Sequence, residues 1–406
     1  MKILLVTRSF PRLRTEARDG IETYVETLAR VLVHAGTDVH VVEYGARSAY
    51  GEPTLPVPIV TVKFAKVPLL SAVLPNLLEA WQLYRTVKRL DDREHFDVIE
   101  GANDQGMMTF IASAFGSRFW MHLHVSFRQQ TEMNHKKLTW SRRFTAWLDR
   151  LATRRALNLA THSRAHAEAA AAEYGIEGRR IAIVPHAVVP PAEIAPPQEI
   201  RTVAYIGALD LRKGIDLFLK AAARVARRQA GIEFLVIGCD PEDGEWPPDD
   251  ESEAETPNRL GTWKSLFSTG CHDKGVESKV HFLGAIDDQE LARLWPTIDL
   301  VVVPSRYESF GLVAIEAFAW GKPLVATKCG ALPEVTAGCA SMVDPDPEAI
   351  AVAILAIARD PDRAAQLSRE GRRLYETRYT LDALQTTVLG LYSMFPGLPP
   401  QTSSER

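Results

Sequence analysis

Two glutamates, Glu308 and Glu316, enclose a Phe-Gly step in "SRYESFGLVAIEAFAWGKP" at residues 305–323. Such a pair could be a general acid and base, two ordinary helix carboxylates, or two halves of a binding site. The strand predicted before them, "DLVVVPS", ends at Pro304, because proline cannot donate to a central ladder. The residues from Phe310 on are helix-forming. Glu308 is therefore predicted to lie in a loop and Glu316 about two turns into the following helix.

The start of that predicted helix could hold a diphosphate. Its first backbone amides have no partner inside the helix, and the helix dipole favours an anion there. These amides belong to Ser309, Phe310, Gly311 and Leu312. Glu316 could then reach ribose hydroxyls, and Glu308 a sugar hydroxyl. An acid at a helix start also stabilises the helix alone, so a structural role stays open for Glu308. Glu316 lies in the apolar run "LVAIEAFAW", where a carboxylate needs a partner.

A second anion site is predicted in the loop "GALDLRKG" at residues 207–214, where Arg212 and Lys213 stand just before a helix start. Positive side chains beside free helix amides are suited to bind phosphate. The spacing alone leaves a solvated pair of bases equally open. The loop is not a Walker A loop, because the pattern G-x-x-x-x-G-K-[ST] is absent.

The first half of the chain offers further candidates at predicted strand ends, where doubly wound sheets bind their ligands. Gly20 begins a helix, and a glycine backbone can approach phosphate closely. His122 and His124 alternate along the strand "RFWMHLHV". A lone histidine usually belongs to the core, but two near the carboxyl end of a strand favour a functional role for His124. Asn103 and Asp104 follow the strand "DVIEGA" at a similar strand end.

The elements that must position these residues form two similar halves. Each half begins with a strand, a loop, a helix and a strand, first at "KILLVTRSF" and again at "TVAYIG". These repeated units predict an α/β fold of two Rossmann-like, doubly wound domains facing a central cleft. A proline-rich linker from Pro185 to Pro197 puts the boundary near residue 190. The predicted domains are 1–190 and 191–380.

Two segments are predicted to lie outside the folded domains. The stretch at residues 240–261 is acidic and proline-rich without an apolar face, which is typical of a mobile surface insertion. The tail at residues 396–406 has the composition of a disordered terminus.

Length and composition bound the class of protein. The chain has 406 residues with a formal net charge of -4, which fits a globular protein and argues against nucleic-acid binding. Residues 1–195 carry a net charge of +5 and the remainder −9. The 4 cysteines form no C-x-x-C pair, which fits a reducing cytoplasm and argues against a disulfide or zinc site. No apolar run is long enough to span a membrane.

The stretch "NHKKLTWSRRFTAWLDRLATRR" at residues 134–155 combines basic residues with tryptophan and leucine. It could lie on an anionic membrane, as for a lipid-linked acceptor, or form a helix with its apolar side in the core and a solvated basic face. Both interpretations stay open. The predicted location is cytoplasmic, with peripheral contact at the inner membrane face left open.

Residues 299–335, "DLVVVPSRYESFGLVAIEAFAWGKPLVATKCGALPEV", closely resemble the signature of the retaining glycosyltransferases of family four, which have the GT-B fold. The shared pattern is a glutamate, seven residues and a glutamate, with Phe-Gly between them and Ala-x-Gly-x-Pro after them. Weaker matches such as "GIETYVETLARVL", "LHVSF" and "IVPHAVV" run in the expected order along nearly the whole chain.

The resemblance implies a donor site with assigned contacts. Gly20 and the amides from Ser309 to Leu312 would contact the donor diphosphate, and Lys213 would neutralise it. Glu316 would bind ribose and Glu308 the transferred sugar, with His124 near the anomeric centre. The loop at His281 and Phe282 would present its backbone to the base.

The resemblance also implies an acceptor site in the first domain, and we place it at Asp19, Asn103 and Asp104. A last helix, from Leu381 to Tyr392 and ending by about residue 395, would cross back onto that domain. Ala208 stands where family members usually carry an arginine, so Arg212 would supply the charge. Asp19-Gly20 replaces a Gly-Gly, where an acid could repel phosphate or tune the acceptor. His186-Ala187 replaces an Asn-Gly.

The predicted function is glycosyl transfer with retention, from a nucleotide diphosphate sugar to a hydroxyl or amine of a small-molecule, glycan or lipid-linked acceptor. A UDP-sugar is the favoured donor. Because Lys213, Arg212 and the helix amides would stabilise the leaving diphosphate, no metal or other cofactor is expected. The one D-x-D candidate, Asp344-Pro345-Asp346, precedes "EAIAVAILAIA" and is typical of a helix cap.

Two alternatives with the same fold stay open, a nucleotide-sugar 2-epimerase and a nucleotide-sugar-binding protein without catalysis. The absence of G-x-G-x-x-G after the strands argues against an NAD oxidoreductase. The resemblance leaves the sugar, the acceptor and the oligomeric state unassigned.

Overall fold

The computed structural model of the chain divides into two compact units. It describes residues 1–11, 20–45, 53–65, 74, 76–191, 194, 197, 199–240, 262–271 and 273–393. The first unit comprises residues 1–129, 138–187 and 380–406, and the second comprises residues 130–137 and 188–379. The predicted insertion, the predicted tail and Asp19 fall largely or wholly outside the described residues. None of the described helices is both long and apolar enough to cross a membrane.

The first unit is built on a seven-stranded parallel sheet in the order β3-β2-β1-β4-β5-β6-β7. Its strands are β1 (Lys2–Thr7), β2 (Asp38–Glu43), β3 (Ile59–Thr61), β4 (Val98–Ala102), β5 (Phe119–Leu123), β6 (Asn158–Thr161) and β7 (Ile181–Ile183). The central strands are buried on both faces, as helices above and below a parallel sheet require, so they show no alternation of polar residues. Apolar clusters lie on each face of this sheet.

Helices connect these strands. They are α1 (Gly20–His34), α2 (Leu77–Glu94), α3 (Thr109–Ala114), α4 (Phe127–Met133), α5 (Trp140–Arg155) and α6 (Arg164–Tyr174), with 3₁₀ turns at Gly116–Arg118 and Gly178–Arg180. Side-chain caps fix two helix starts: Thr139 accepts from the amide of Arg142, and Ser163 from that of His166. The last residues of α4 fall in the segment assigned to the second unit.

The second unit has a six-stranded parallel sheet in the order β10-β9-β8-β11-β12-β13. Its strands are β8 (Thr202–Ile206), β9 (Glu233–Ile237), β10 (Val280–Gly284), β11 (Leu300–Val303), β12 (Leu324–Thr327) and β13 (Ser341–Val343). Its helices are α7 (Ile215–Arg228), α8 (Trp263–Gly270), α9 (Lys274–Glu277), α10 (Asp288–Leu294), α11 (Leu312–Ala319), α12 (Leu332–Thr336), α13 (Pro347–Ala358) and α14 (Pro361–Arg378), with a 3₁₀ turn at Trp295–Thr297. A single large apolar cluster lies between β8, β9, β11, α7 and α13.

The last helix, α15 (Leu381–Ser393), belongs to the first unit and packs on α1. Leu384, Val388 and Tyr392 form its buried face. The Tyr392 hydroxyl donates to Glu100 on β4, a carboxylate that also accepts from Tyr24 of α1 at 2.9 Å. This buried hydrogen-bond network ties the end of the chain to the central strand of the first sheet.

Every predicted strand is present, and the fold of two doubly wound α/β units is confirmed. Three strands that the sequence did not indicate, β3, β6 and β13, have only three or four residues each, which is too short for a periodic signal. The helix predicted from Phe310 begins instead at Leu312, because Gly311 has a positive φ of 100 and caps it. Glu316 is therefore little more than one turn into α11, which corrects the predicted two turns.

Candidate active site

The order of strands reverses at one place in each sheet, between β1 and β4 in the first and between β8 and β11 in the second. At such a switch point the two following loops diverge to opposite faces and leave a crevice at the carboxyl ends of the strands. The predicted site residues of each unit follow these four strands or their neighbours.

The loop after β8 is held in a fixed shape. The Tyr205 hydroxyl donates to the Ala208 carbonyl at 2.6 Å, and the Trp263 indole donates to the Leu209 carbonyl at 2.7 Å. Gly214 ends the loop with a positive φ of 74, and a Cβ there would lie 2.1 Å from the Pro304 carbonyl oxygen. Glycine thus lets the loops after β8 and β11 approach closely.

Lys213 and Glu308 meet across these two loops. The Lys213 ammonium donates to Glu308 Oε1 at 2.7 Å, and the Ser305 hydroxyl donates to the same oxygen at 2.8 Å. The Glu308 side chain is 7% exposed and that of Lys213 24%. Burial would raise the pKa of Glu308, but the charges of Lys213 and Arg212 and these hydrogen bonds outweigh burial and lower it. Glu308 is therefore a buried carboxylate, not a general acid.

Arg212 lies beside this pair and is buried. Its Nη2 is 3.6 Å from Asp210 Oδ2, and its Nε has no hydrogen-bond partner among the described residues. Its backbone amide donates to Asn134 Oδ1 at 3.2 Å. A buried guanidinium nitrogen without a partner is costly, so an oxyanion ligand would complete the site.

The loop after β11 presents backbone donors beside the same charges. No described acceptor is hydrogen-bonded to the amides of Gly311 or Leu312, at the start of α11. Ser309 and Phe310 do have interactions, so the predicted set of four free amides is supported for two of its members. Gly330 packs against this loop, where a Cβ would lie 2.7 Å from the Glu308 amide nitrogen.

Glu316 is half-buried on α11. Burial of its carboxyl group, followed by the charge of Asp288, raises its pKa to about 7, and the charge of Lys213 acts in the opposite direction. Protonated and charged forms of Glu316 are thus both available near neutral pH. A ribose hydroxyl is a ligand that either form can hydrogen-bond.

Sequence reasoning missed Arg306, which clamps the loop after β8. It donates to the Leu211 carbonyl at 2.6 Å and forms a bidentate pair with Asp216 at 2.7 and 2.8 Å. Its own amide donates to the Arg212 carbonyl at 2.8 Å. One arginine after a strand carries no signal in a sequence, so only the fold reveals this positioning role.

In the first unit, His124 follows β5 and is buried, with Nε2 unpartnered among the described residues. Asn103 clamps its backbone: Asn103 Oδ1 accepts from the His124 amide at 2.7 Å, and Nδ2 donates to the His124 carbonyl at 3.2 Å. Nδ2 also donates to the Tyr174 hydroxyl at 3.0 Å. Burial, and then the neighbouring histidines, lower the pKa of His124 well below its ordinary value, so its ring is neutral.

A buried group of histidines surrounds His124. The rings of His162 and His186 stack with centroids 3.6 Å apart, and those of His122 and His162 with centroids 4.2 Å apart. Tyr24 contacts these rings, including His122 at 4.2 Å. Burial is the first cause that lowers the pKa of His166 to about 4 and of His186 to about 3. We call His122, His124, His162, His166 and His186 the histidine cluster.

The remaining predicted site residues have the following positions. Asp104 accepts from Arg8 at 3.0 and 2.5 Å and from the Tyr44 hydroxyl at 2.8 Å. Gly20 is the exposed first residue of α1. His281 and Phe282 lie within edge strand β10, not in the loop expected from the resemblance, because they continue the ladder with β9. His281 Nε2 is 2.8 Å from Glu233 Oε2.

Among the described residues, no group of three histidine, cysteine or acidic side chains is arranged to hold a metal ion. The D-x-D candidate is a helix cap as predicted, since Asp346 Oδ1 accepts from the amides of Glu348 and Ala349 at 2.9 Å. Arg212 and Lys213 place positive side chains beside Glu308.

The chain matches two family models. Residues 18–190 match the model described as Glycosyltransferase Family 4, and residues 191–374 match Glycosyl transferases group 1. Among curated proteins, the D-inositol 3-phosphate glycosyltransferase of Segniliparus rotundus is 34% identical over 204 residues. That match covers 50% of this chain and 41% of the relative, so it spans less than half of the relative's length.

Two solved structures show the same fold over nearly their whole length. The sucrose-phosphate synthase from Thermosynechococcus elongatus has a TM-score of 0.71 at 21% identity, covering 97% of this chain and 98% of that chain. Anabaena HepE, solved in complex with UDP-glucose, has a TM-score of 0.67 at 19% identity, covering 97% and 100%. At these identities the likeness shows the fold alone.

Proposed function

The chain belongs to the GT-B glycosyltransferases, with a family 4 domain followed by a group 1 domain, and from this premise we propose that it transfers a sugar, with retention, from a nucleotide diphosphate sugar to an acceptor hydroxyl or amine. The observation that carries the proposal is the group of Arg212, Lys213 and Glu308 at the switch point of the second sheet, beside the free amides of α11.

The donor diphosphate is assigned to the positive side of this group. Arg212 has a buried nitrogen without a partner among the described residues, and no described acceptor is hydrogen-bonded to the amides of Gly311 and Leu312. Lys213 neutralises Glu308 until the donor is bound, and then shares its ammonium with the diphosphate. Two cations and a helix N-terminus match the charge and the oxygen acceptors of a diphosphate.

The two glutamates are assigned to hydroxyl groups. Glu308 is held as a carboxylate by Lys213 and accepts from a hydroxyl of the transferred sugar. Glu316, one turn along α11, accepts from the ribose. A UDP-sugar is the favoured donor, supported by a structurally similar protein that was solved with UDP-glucose.

The reaction is balanced without a protein nucleophile. The bond from the anomeric carbon to the diphosphate oxygen breaks with its electron pair leaving on that oxygen. A new bond forms to the acceptor oxygen on the same face, and the acceptor proton passes to the departing phosphate. Arg212 and Lys213 stabilise the charge that develops on the diphosphate, which is where electrostatic catalysis has its largest effect. His124, neutral and with Nε2 available, is assigned to a sugar hydroxyl near the anomeric carbon.

The acceptor is assigned to the first unit, near Asp104 and the loops that follow β1 and β4. Asp19 stays a candidate for this site, as does Asn103, although its amide is engaged by His124 and Tyr174. Relatives named as D-inositol 3-phosphate glycosyltransferases support the inclusion of polyols among the acceptors to be tested. The charge of Arg212 and Lys213 supports activity without a divalent cation, so we expect turnover to persist with a chelator present.

A thermal-shift screen against UDP-, GDP-, ADP- and dTDP-sugars tests the donor. We expect a shift with at least one, strongest with a UDP-sugar, and loss of that shift in Lys213→Met. Turnover with the best donor and a panel of polyols, glycans and lipid-linked sugars then tests the reaction, with the anomeric configuration of the product read by NMR. No shift with any nucleotide sugar would overturn the proposal, and conversion of the donor without an acceptor would favour an epimerase.

A further inference from the structure

Three aromatic rings form an exposed row along α5. Trp140 is 58% exposed and Trp147 is 53% exposed, with Phe144 between them. The rings of Trp140 and Phe144 stack with centroids 5.5 Å apart, and those of Phe144 and Trp147 with centroids 5.7 Å apart. Spacings of four and three residues place the three rings on one face of a helix.

The opposite face of α5 is the one that packs on the first unit. Its buried residues are Thr145, Leu148, Asp149, Ala152 and Thr153, which are mostly small or polar. A surface helix ordinarily turns its largest apolar side chains towards the core. In α5 they face solvent instead, and an exposed apolar row of this kind marks an interaction surface.

Arginines accompany the aromatic row. At 100° per residue, Arg143, Arg150 and Arg154 fall on the solvent half of α5. The Arg143 Nε donates to the Leu138 carbonyl at 3.1 Å, and the guanidinium groups of Arg150 and Arg154 lie beside Gly175 at the end of α6. Neither Arg150 nor Arg154 has an ion-pair partner among the described residues. The one acidic residue of the helix, Asp149, is buried against the Tyr174 hydroxyl at 3.0 Å. The exposed face of α5 is therefore positive and carries no acid.

The aromatic row and its charge favour one kind of partner. Because the ring faces stack on one another, the faces between neighbours are closed to the bases of a nucleic acid. Ring edges along a helix, flanked by arginines, fit the boundary between lipid headgroups and acyl chains. We propose that the outward face of α5 lies on an anionic lipid surface, with Trp140, Phe144 and Trp147 at headgroup depth and the arginines on headgroup phosphates.

This surface is separate from the residues assigned to the nucleotide sugar, so the proposal is independent of the transferase activity. A failure of lipid binding leaves the donor assignment untouched, and a failure of donor binding leaves the lipid surface untouched.

Sedimentation of the full chain with vesicles tests the surface. We expect binding to vesicles of phosphatidylcholine containing about one third phosphatidylglycerol, weak binding to phosphatidylcholine alone, and a decline as salt is added. Trp140→Ala/Trp147→Ala should reduce the partition coefficient by about tenfold or more. Arg150→Gln/Arg154→Gln should reduce it by about fivefold for each arginine at low salt.

Matched control variants test whether vesicle binding depends on the exposed face of α5 or on the loss of any exposed tryptophan or arginine. Trp81→Ala removes another exposed tryptophan, on α2, whose four basic and four acidic residues balance. Arg359→Gln removes the same charge from an exposed position of the second unit. Both controls should bind vesicles as the natural chain does.

The natural chain supplies a readout that does not depend on variants. Vesicles with brominated acyl chains should quench its tryptophan fluorescence on binding, because bromine quenches rings at acyl depth. Absence of quenching, equal sedimentation with neutral and anionic vesicles, or undiminished binding by the double tryptophan variant would each overturn the proposal. Tryptophan-dependent binding of a single-stranded RNA without binding of vesicles would also overturn it, in favour of a nucleic-acid surface.

Discussion

Buried histidine and tyrosine rings lie near the switch point of the first sheet, beside the Arg8–Asp104 ion pair, whereas a buried arginine and a lysine–glutamate ion pair lie at that of the second. In the first unit, the histidine cluster and Tyr24 surround Glu100, and burial keeps the pKa of His124 low. In the second unit, Lys213 forms an ion pair with the buried Glu308 carboxylate, and the buried Arg212 lies beside them. The strand order reverses in the same way at both switch points, so the strand order does not explain why their side chains differ.

The difference follows from how each buried polar group is satisfied. The carboxylate Glu308 has cations beside it, which lower its pKa in spite of burial. His124, His162 and His186 have mainly other aromatic rings as neighbours, so burial makes their neutral form the stable one. The cations Arg212 and Lys213 suit a diphosphate, whereas the neutral rings of the histidine cluster suit hydroxyl groups. The following experiments test this contrast, from the largest expected effect to the smallest.

Removal of the charge at Lys213 should affect activity most. Lys213→Met keeps much of the side chain but leaves the diphosphate with less compensation, so we expect kcat/KM for the donor to fall about 10²–10³-fold. Initial rates of nucleoside diphosphate release measure it. Lys220→Met, an exposed lysine on α7, is the matched control and should retain full activity. If the two variants are equally active, the group of Arg212, Lys213 and Glu308 is not the donor site.

The histidine cluster should make the first unit sensitive to acid. Because the folded-state pKa values of His124, His162, His166 and His186 lie below the unfolded value, the unfolded chain takes up protons first, and stability falls as pH drops below about 6.5. For His166, with a folded pKa of about 4, the loss at pH 5 is about 2 kcal/mol.

Hydrogen exchange at pH 7 and pH 5 can locate this loss. The amides of β4, β5 and β6 should lose more protection than those of β8 and β11. The raised pKa values of Glu316 in the second unit, about 7, and of Asp149 on α5 in the first, about 8, act in the opposite direction, since each contribution weakens stability as pH rises from the unfolded pKa to the folded one. His186→Asn should reduce the acid sensitivity of the first unit. Equal loss of protection in both units would contradict the contrast.

A variant of Asn103 tests whether activity depends on the position of the His124 backbone. Asn103→Ala removes the clamp on the His124 backbone, and we expect kcat to fall about tenfold with a loss of about 1–3 kcal/mol in stability. Asn158→Ala is matched, because Asn158 Nδ2 donates to the Phe119 carbonyl at the other end of β5, at 3.3 Å. The control should lose stability without the same loss of kcat. Parallel losses of activity in both variants would make Asn103 merely structural.

Glu316 tests the finer part of the donor assignment. Glu316→Gln should raise the donor KM about fivefold and leave kcat nearly unchanged, because a charged acceptor for the ribose becomes neutral. The natural chain should show a donor KM that rises as pH falls through about 7, and the variant should not. A variant with altered melting temperature but unchanged KM would return Glu316 to a structural role.

Local sequence patterns predicted the group of Arg212, Lys213 and Glu308 better than they predicted the histidine cluster. Glu308, Lys213 and Arg212 stand in short loops between a clear strand and a clear helix, so strand ends and helix starts located them in the sequence. The histidine cluster draws its members from β5 and from the segments that follow β5, β6 and β7, and Tyr24, which contacts it, comes from α1. These residues are far apart in the sequence, so no short stretch of sequence shows that they come together. Only His124 was predicted as a site residue.

The sequence by itself determined the alternation of strands and helices, the two doubly wound units and the positions of the loops that we propose to bind phosphate. These features depend on local periodicity and on glycine, proline and charge at fixed offsets. The tertiary structure alone decided that Lys213 reaches Glu308, that Arg306 clamps the loop before α7, and that burial lowers the pKa of His124 and His186. Ion pairs between distant segments and the burial that shifts a pKa exist only once packing has excluded water.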